Sequence, residues 1–174
     1  MIKNYFITEE IDFDSGKFFV ETVYEDVEEL VKYRDSCVRI FIDSFGGYTG
    51  AMTSILSAIA MLKSKDIVVE THVVGEAYSA ASIIAASGTK DHRYIGEFSH
   101  HLVHWGSTGC IGATTPLESD RIKQRSEDHF DTILSLYKRY ANIPKLKKML
   151  RSDLCWLDAE KCLDYGLADH IEKL

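Results

Sequence analysis

The sequence predicts an α/β fold. Short β-branched runs such as Val38 to Ile42 and Ile67 to Val74 alternate with stretches whose apolar residues recur at helical spacing. Glycines and capping residues mark the junctions between them, and no repeat or low-complexity segment breaks the alternation. With 174 residues, 45% of them hydrophobic, the chain can bury one core, and no Pro- or Ser-rich linker divides it. One domain over residues 1–174 is therefore expected.

In chain order, Asn4 to Thr8 reads as a short strand. The series Phe19, Val23, Val27, Leu30, Val31 then has helical spacing, after a cap at Asp14 or Ser15. Val38 to Ile42 is a buried strand. Beyond Gly46-Gly47, the residues Met52, Ile55, Leu56 and Ile59 form one face of an amphipathic helix that ends near Ser64. Ile67 to Val74 is the next strand. The run from Ser79 to Ser87 is apolar nearly all round, as in a short buried helix, and Gly88 stands where a C-terminal stop belongs. Short strands follow at His92 to Ile95 and His101 to Val103, and Gly106 to Gly112 reads as a loop or twisted hairpin. Thr115-Pro116-Leu117-Glu118 has the pattern of a capping box with proline at the first helical position. It opens a helix of about 25 residues, about 38 Å long at 1.5 Å per residue. The first half of that helix is mostly polar, while Phe130, Ile133, Leu134 and Tyr137 give its second half a packing face, so a projecting assembly element is expected. Pro144 opens a short helix, and Asp158 to Tyr165, stopped by Gly166, forms the last.

The formal charge of −7 disfavours a nucleic-acid partner, which needs a basic patch to neutralise phosphates. No apolar run is long enough for a membrane span and the N-terminus has no signal-peptide pattern, so a cytoplasmic protein is expected. Cys37, Cys110, Cys155 and Cys162 include no CxxC pair; they read as reduced, buried thiols.

Three features stand out for chemistry: Gly46-Gly47 at one strand-to-helix junction, Ser79 at another, and His104 at the end of a later strand. Singly, each has a plain structural account. A glycine pair serves a turn, a serine opening a helix serves as its N-cap, and a strand-end histidine is simply half-buried. Together they supply what acyl transfer needs. A serine hydroxyl becomes nucleophilic once a base removes its proton, and imidazole does so near neutral pH. A carboxylate must fix the imidazole tautomer, and backbone N–H donors must meet the developing oxyanion.

The segments Ile42-Asp-Ser-Phe-Gly-Gly47, Val74-Gly-Glu-Ala-Tyr-Ser-Ala80 and Val103-His104 resemble the three active-site blocks of the ClpP family, the proteolytic subunits of Clp proteases. Trp156 to Ala168 is similar to that family's closing helix and strand. The resemblance implies a ClpP/crotonase-like fold of repeated strand-strand-helix units with a long projecting handle helix. It implies Ser79 as nucleophile, His104 as base and Asp153 as the orienting acid, with the N–H groups of Gly47 and Ala80 as the oxyanion hole. Asp158 is the other candidate acid, at a position where an N-cap accounts for it. The family's proline before the glycines is Phe45 here, and its Gln-Pro after the histidine is Trp105-Gly106.

By the same resemblance the chain is a serine endopeptidase acting on unfolded polypeptides inside a heptameric ring, which in a stacked form is a tetradecamer, served by a Clp-type AAA+ unfoldase. No cofactor and no metal are implied. His100, His101 and His104 do not converge as zinc ligands, because along a strand His101 faces away from the other two. Two other readings keep the fold: a catalytically silent ring subunit, and a crotonase-like acyl-CoA enzyme holding its oxyanion with paired N–H groups.

Overall fold

The computed structural model describes residues 1–105, 115–144, 146–151 and 155–173. Elements run in the order β1 (Ile2–Ile7), α1 (Phe13–Leu30), β2 (Cys37–Ser44), α2 (Thr49–Ser64), β3 (Val68–Tyr78), α3 (Ala80–Ala86), β4 (Arg93–Gly96), β5 (His100–Val103), α4 (Pro116–Tyr140), α5 (Leu146–Arg151), β6 (Cys155–Leu157), α6 (Ala159–Asp164) and β7 (His170–Glu172).

Five strands form one parallel path, β1-β2-β3-β4-β7, while β5 pairs with β3 and β6 pairs antiparallel with β5. Alternation sets the faces. Val38, Ile40 and Ile42 of β2 and Val69 and Val73 of β3 point into the core, against the apolar faces of α1 and α2. The opposite face carries a row of rings in register across all five strands. Phe6 stacks on Phe41 at 5.4 Å, Phe41 on His72 at 5.0 Å, His72 on Tyr94 at 4.7 Å and Tyr94 on His170 at 5.1 Å.

The strand β3 is the organising element, because it changes neighbour along its length. Thr71 to Val73 pair with β4, whereas Glu76 to Tyr78 pair with β5. At the fork its register with β2 also shifts, from Ile42 opposite Val73 to Ser44 opposite Ala77. The Asp43 carboxylate fills the gap by accepting from the Glu76 N–H at 2.9 Å. A Cβ on Gly75 would stand 2.3 Å from Asp43 Oδ1, so a side chain there would displace that carboxylate.

Helix ends refine the sequence reading. The cap of α1 is Asp12, whose side chain accepts from Ser15 N–H at 2.8 Å, with Ser15 Oγ accepting from Asp12 N–H at 2.9 Å. A capping box two residues upstream of the expected cap thus starts the helix earlier, and Val31 lies beyond its last turn, exposed. Gly88 is not a left-handed stop; α3 ends on Ser87 in the right-handed region. Glycine stands at 88 for space, because a Cβ would lie 2.8 Å from Thr71 Oγ1 and 2.9 Å from Arg93 Cγ. By contrast Gly166, at φ +69, does follow α6 in the left-handed region. The helix α4 has the expected capping box between Thr115 and Glu118 and runs 25 residues to Tyr140. Phe130, Ile133, Leu134 and Tyr137 bury its second half, while the described side chains of its first half are largely exposed. Among the described cysteines Cys162 is buried, but Cys37 and Cys155, the first residues of β2 and β6, are only half-buried. Cys110 lies outside the described residues, as does the segment expected as a loop or hairpin after Trp105, and no helix among the described residues is long and apolar enough to cross a membrane.

Candidate active site

Ser79 occupies the one-residue turn between β3 and α3. Its φ of 54° with ψ of −118° lies where side chains are rarely found. Strain of this kind costs about 1–3 kcal/mol and persists only where surroundings enforce it. Here Ser79 N–H donates to Leu102 O of β5 at 2.9 Å, and Ser79 O accepts from Ser82 N–H at 3.1 Å, while every residue of α3 is buried behind the turn. The plain reading of Ser79 as a helix cap does not hold, since its side chain makes no capping hydrogen bond. The hydroxyl is held half-exposed at the tip of a sharp strand-to-helix turn, the arrangement of a nucleophile elbow.

The glycine pair is packed against that elbow. A Cβ on Gly46, at φ +89, would lie 2.5 Å from Tyr78 O and 3.0 Å from both Ala80 N and Ser79 Cβ. A Cβ on Gly47, at φ +156, would lie 2.2 Å from Ile11 O. Only glycine lets two backbones and the elbow approach this closely. Ile11 N–H donates to Gly46 O and Tyr48 N–H donates to Ile11 O, both at 2.8 Å. In this parallel bridge the N–H of Gly47 itself points away from Ile11. As the first residue of α3, Ala80 has no intrahelical acceptor for its own N–H. Proline is absent from the turn, and Ser44 fixes it instead: its hydroxyl accepts from Gly46 N–H at 3.1 Å and donates to Glu9 O. Phe45 projects from the turn 75% exposed, tilted against Tyr78.

Parallel pairing of β3 with β5 sets Tyr78 opposite Leu102, so the residues leaving the two strands, Ser79 and His104, emerge side by side. His104 is half-buried, and desolvation lowers its pKa from the ordinary imidazole value. That favours the neutral ring a general base requires. The two neighbouring histidines diverge: His100 is exposed, while His101 is fully buried, with Nδ1 at 2.9 Å from Ser82 Oγ and its pKa pushed down to about 3 by burial.

Ser79, Ala80, Gly47 and His104 line one cleft of about 220 Å³. Asp153 lies outside the described residues. Asp158 is the N-cap of α6, accepting from Lys161 N–H at 2.9 Å. The cleft also contains residues that sequence reading did not assign: Phe45, Thr49, Met52, Ile83, Trp105, and, from α4, His129 and Ile133. The i, i+4 spacing of His129 and Ile133 was the available signal, but only the docking of α4, with Phe130 edge-on to Trp105 at 6.0 Å, shows that this face meets the cleft.

The fold has known counterparts. A ClpP1 mutant from Listeria monocytogenes superposes with a TM-score of 0.81 over 98% of this chain and 91% of that one, at 18% sequence identity, so the architecture is the ClpP/crotonase-like fold. The Clp protease family model matches residues 6–173, and the chain belongs to that family. It is similar to the ATP-dependent Clp protease proteolytic subunit 4 of Rhodococcus jostii, 31% identical over 136 residues, covering 78% of this chain and 68% of the relative. It is also similar to proteolytic subunit 1 of Chlamydia felis, 30% identical over 142 residues, covering 77% of this chain and 64% of the relative. The chain thus matches about two-thirds of the length of these relatives.

Proposed function

We propose that this chain is a serine endopeptidase of the Clp type, with Ser79 as nucleophile, His104 as general base and Asp153 as the acid that orients it. The observation that carries the reading is the strained, uncapped Ser79 turn sharing a cleft with His104 and the Gly46-Gly47 turn. His104 takes the proton from Ser79 Oγ as the oxygen attacks the peptide carbonyl. The N–H groups of Gly47 and Ala80 hold the resulting oxyanion, His104 returns the proton to the leaving amine, and water releases the acyl group by the reverse sequence. Asp153 is assigned from the family resemblance; among the described residues, antiparallel pairing sets Cys155 of β6 opposite Val103, the neighbour of His104.

The substrates we assign are unfolded polypeptides, cleaved inside a heptameric ring that stacks as a tetradecamer and is fed by a Clp-type AAA+ unfoldase in the cytoplasm. Family membership and the projecting α4 support this assembly. Crotonase-like acyl-CoA chemistry is not favoured, since the positions facing the oxyanion turn are a serine and a histidine rather than carboxylates. A fluorophosphonate probe should label Ser79 in the assembled protein, and Ser79→Ala should lower peptide turnover by roughly 10⁴ or more. Ring assembly with neither labelling nor turnover would identify a silent subunit instead.

A further inference from the structure

Among the described lining residues His129 is the one titratable side chain besides His104, and it comes from α4, an element that supplies none of the proposed catalytic groups. It is half-buried, one helical turn before the buried Ile133. Met52 of α2, Ile83 of α3 and Ile133 supply apolar side chains to the same cleft, all three buried. Besides Ser79 and His104, the described lining of the cleft thus combines apolar side chains with the Thr49 hydroxyl and the His129 imidazole, and no carboxylate, lysine or arginine is among the described lining residues.

In the peptidase reading, this space beside Ser79 receives the side chain that precedes the scissile bond. Apolar walls favour a methylene stem, and a group that buries a polar end here needs a hydrogen-bond partner. An uncharged imidazole offers one N–H donor and one acceptor nitrogen, which matches a carboxamide, itself both donor and acceptor. A purely aliphatic side chain would instead cover His129 without giving it a partner, and unpaired polar groups of the site are the strongest source of discrimination.

We propose that His129 is a specificity-determining residue that selects a side chain with an apolar stem and a carboxamide end, glutamine above leucine, at the residue donating the scissile carbonyl. This rests on the peptidase reading above.

The test uses the full-length assembled protein and fluorogenic peptides identical except for glutamine or leucine at that residue, assayed at pH 8. Wild type should show kcat/KM for glutamine higher by on the order of tenfold. In His129→Leu the ratio should fall to about one or below, and in His129→Gln, which keeps a donor and an acceptor, the glutamine preference should persist. Fluorophosphonate labelling of Ser79 reports that each variant retains its site, and should His129→Leu lose labelling, the wild-type ratio decides alone. A labelled, active enzyme that prefers leucine, or whose ratio His129→Leu leaves unchanged, overturns the assignment of His129 while leaving the peptidase standing. Absence of both labelling and turnover of every peptide overturns the peptidase reading, and this assignment with it.

Discussion

At the residue scale the proposed chemistry rests on turns, and the glycine turn is held by a neighbour that can be removed. Ser44 is buried, and its hydroxyl links Gly46 N–H to Glu9 O, doing for the glycine turn what a proline ring would otherwise do through φ. Ser44→Ala deletes two hydrogen bonds, each worth about 0.5–1.5 kcal/mol. The expected result is a loss of tenfold or more in kcat/KM for peptide cleavage, with a smaller fall in melting temperature; an unchanged rate would show that Ser44 does not hold the turn. For His104 the sign follows from its environment. Burial lowers its pKa, so in Asp153→Asn, where the proposed carboxylate no longer favours the charged ring, the acid limb of kcat/KM should fall below the ordinary imidazole value of about 6.5. A limb above 6.5 in peptide assays of that variant would contradict that environment. That Ser79, His104 and Gly47 would share one cleft was legible because a local motif marks each of them. His129 was not, since nothing in the pattern of α4 reveals that its face closes the cleft, and the absence of a side-chain cap at Ser79 is likewise visible only in space.

At the scale of elements, the buried Arg93–Asp169 ion pair ties five of them together, since Arg93 Nη1 also donates to Ala86 O at the end of α3. The Arg93 guanidinium pairs with Asp169, with Nε at 2.8 Å from Oδ2, and its Nη1 donates to Tyr140 O at 3.0 Å and Gly166 O at 2.8 Å, joining β4 to the ends of α4 and α6 and to the start of β7. Burial alone would raise the Asp169 pKa, but Arg93 outweighs it and holds the carboxyl below its usual range. Asp169→Ala would leave a guanidinium buried without its counter-charge, and a loss of about 3–5 kcal/mol in chemical denaturation is expected. A loss under 1 kcal/mol would mean that the carbonyls alone satisfy Arg93. His101 sets a different sensitivity. Its folded pKa of about 3 lies below the unfolded imidazole value, so the unfolded chain binds the extra proton and stability falls as pH drops from about 6.5 toward 3. The slope from this one group reaches about 1.4 kcal/mol per pH unit. Denaturation midpoints across that range should show it in wild type and lose that part in His101→Phe. Most elements were legible from period and caps, α4 to within a residue at either end. The extra length of β3 was hidden, because Gly75-Glu76 interrupts its apolar run and only the fork between β4 and β5 explains why the strand continues to Tyr78.

At the scale of the molecule, the surface offers two contacts of opposite chemistry. One is a largely polar half-helix, the first turns of α4, on an element about 38 Å long. The other is an apolar groove of about 370 Å³ between β1 and α1, with Phe6 66% and Phe18 72% exposed along it. Exposed apolar surface of this kind marks an interface, whereas polar helix surfaces associate through contacts that salt screens. If subunits meet side by side through the groove and ring to ring through α4, the two must separate by salt. Native mass measurement should show the larger assembly at low salt and the smaller ring near 1 M salt. Phe18→Asp should abolish both, because it places a charge in the apolar contact on which each ring depends. Under the proposed function, peptide turnover should fall with it, as the half-exposed elbow at Ser79 would lose the enclosure of the proposed chamber. A Phe18→Asp protein of unchanged mass would remove the groove from the interface and leave α4 as the sole determinant of assembly.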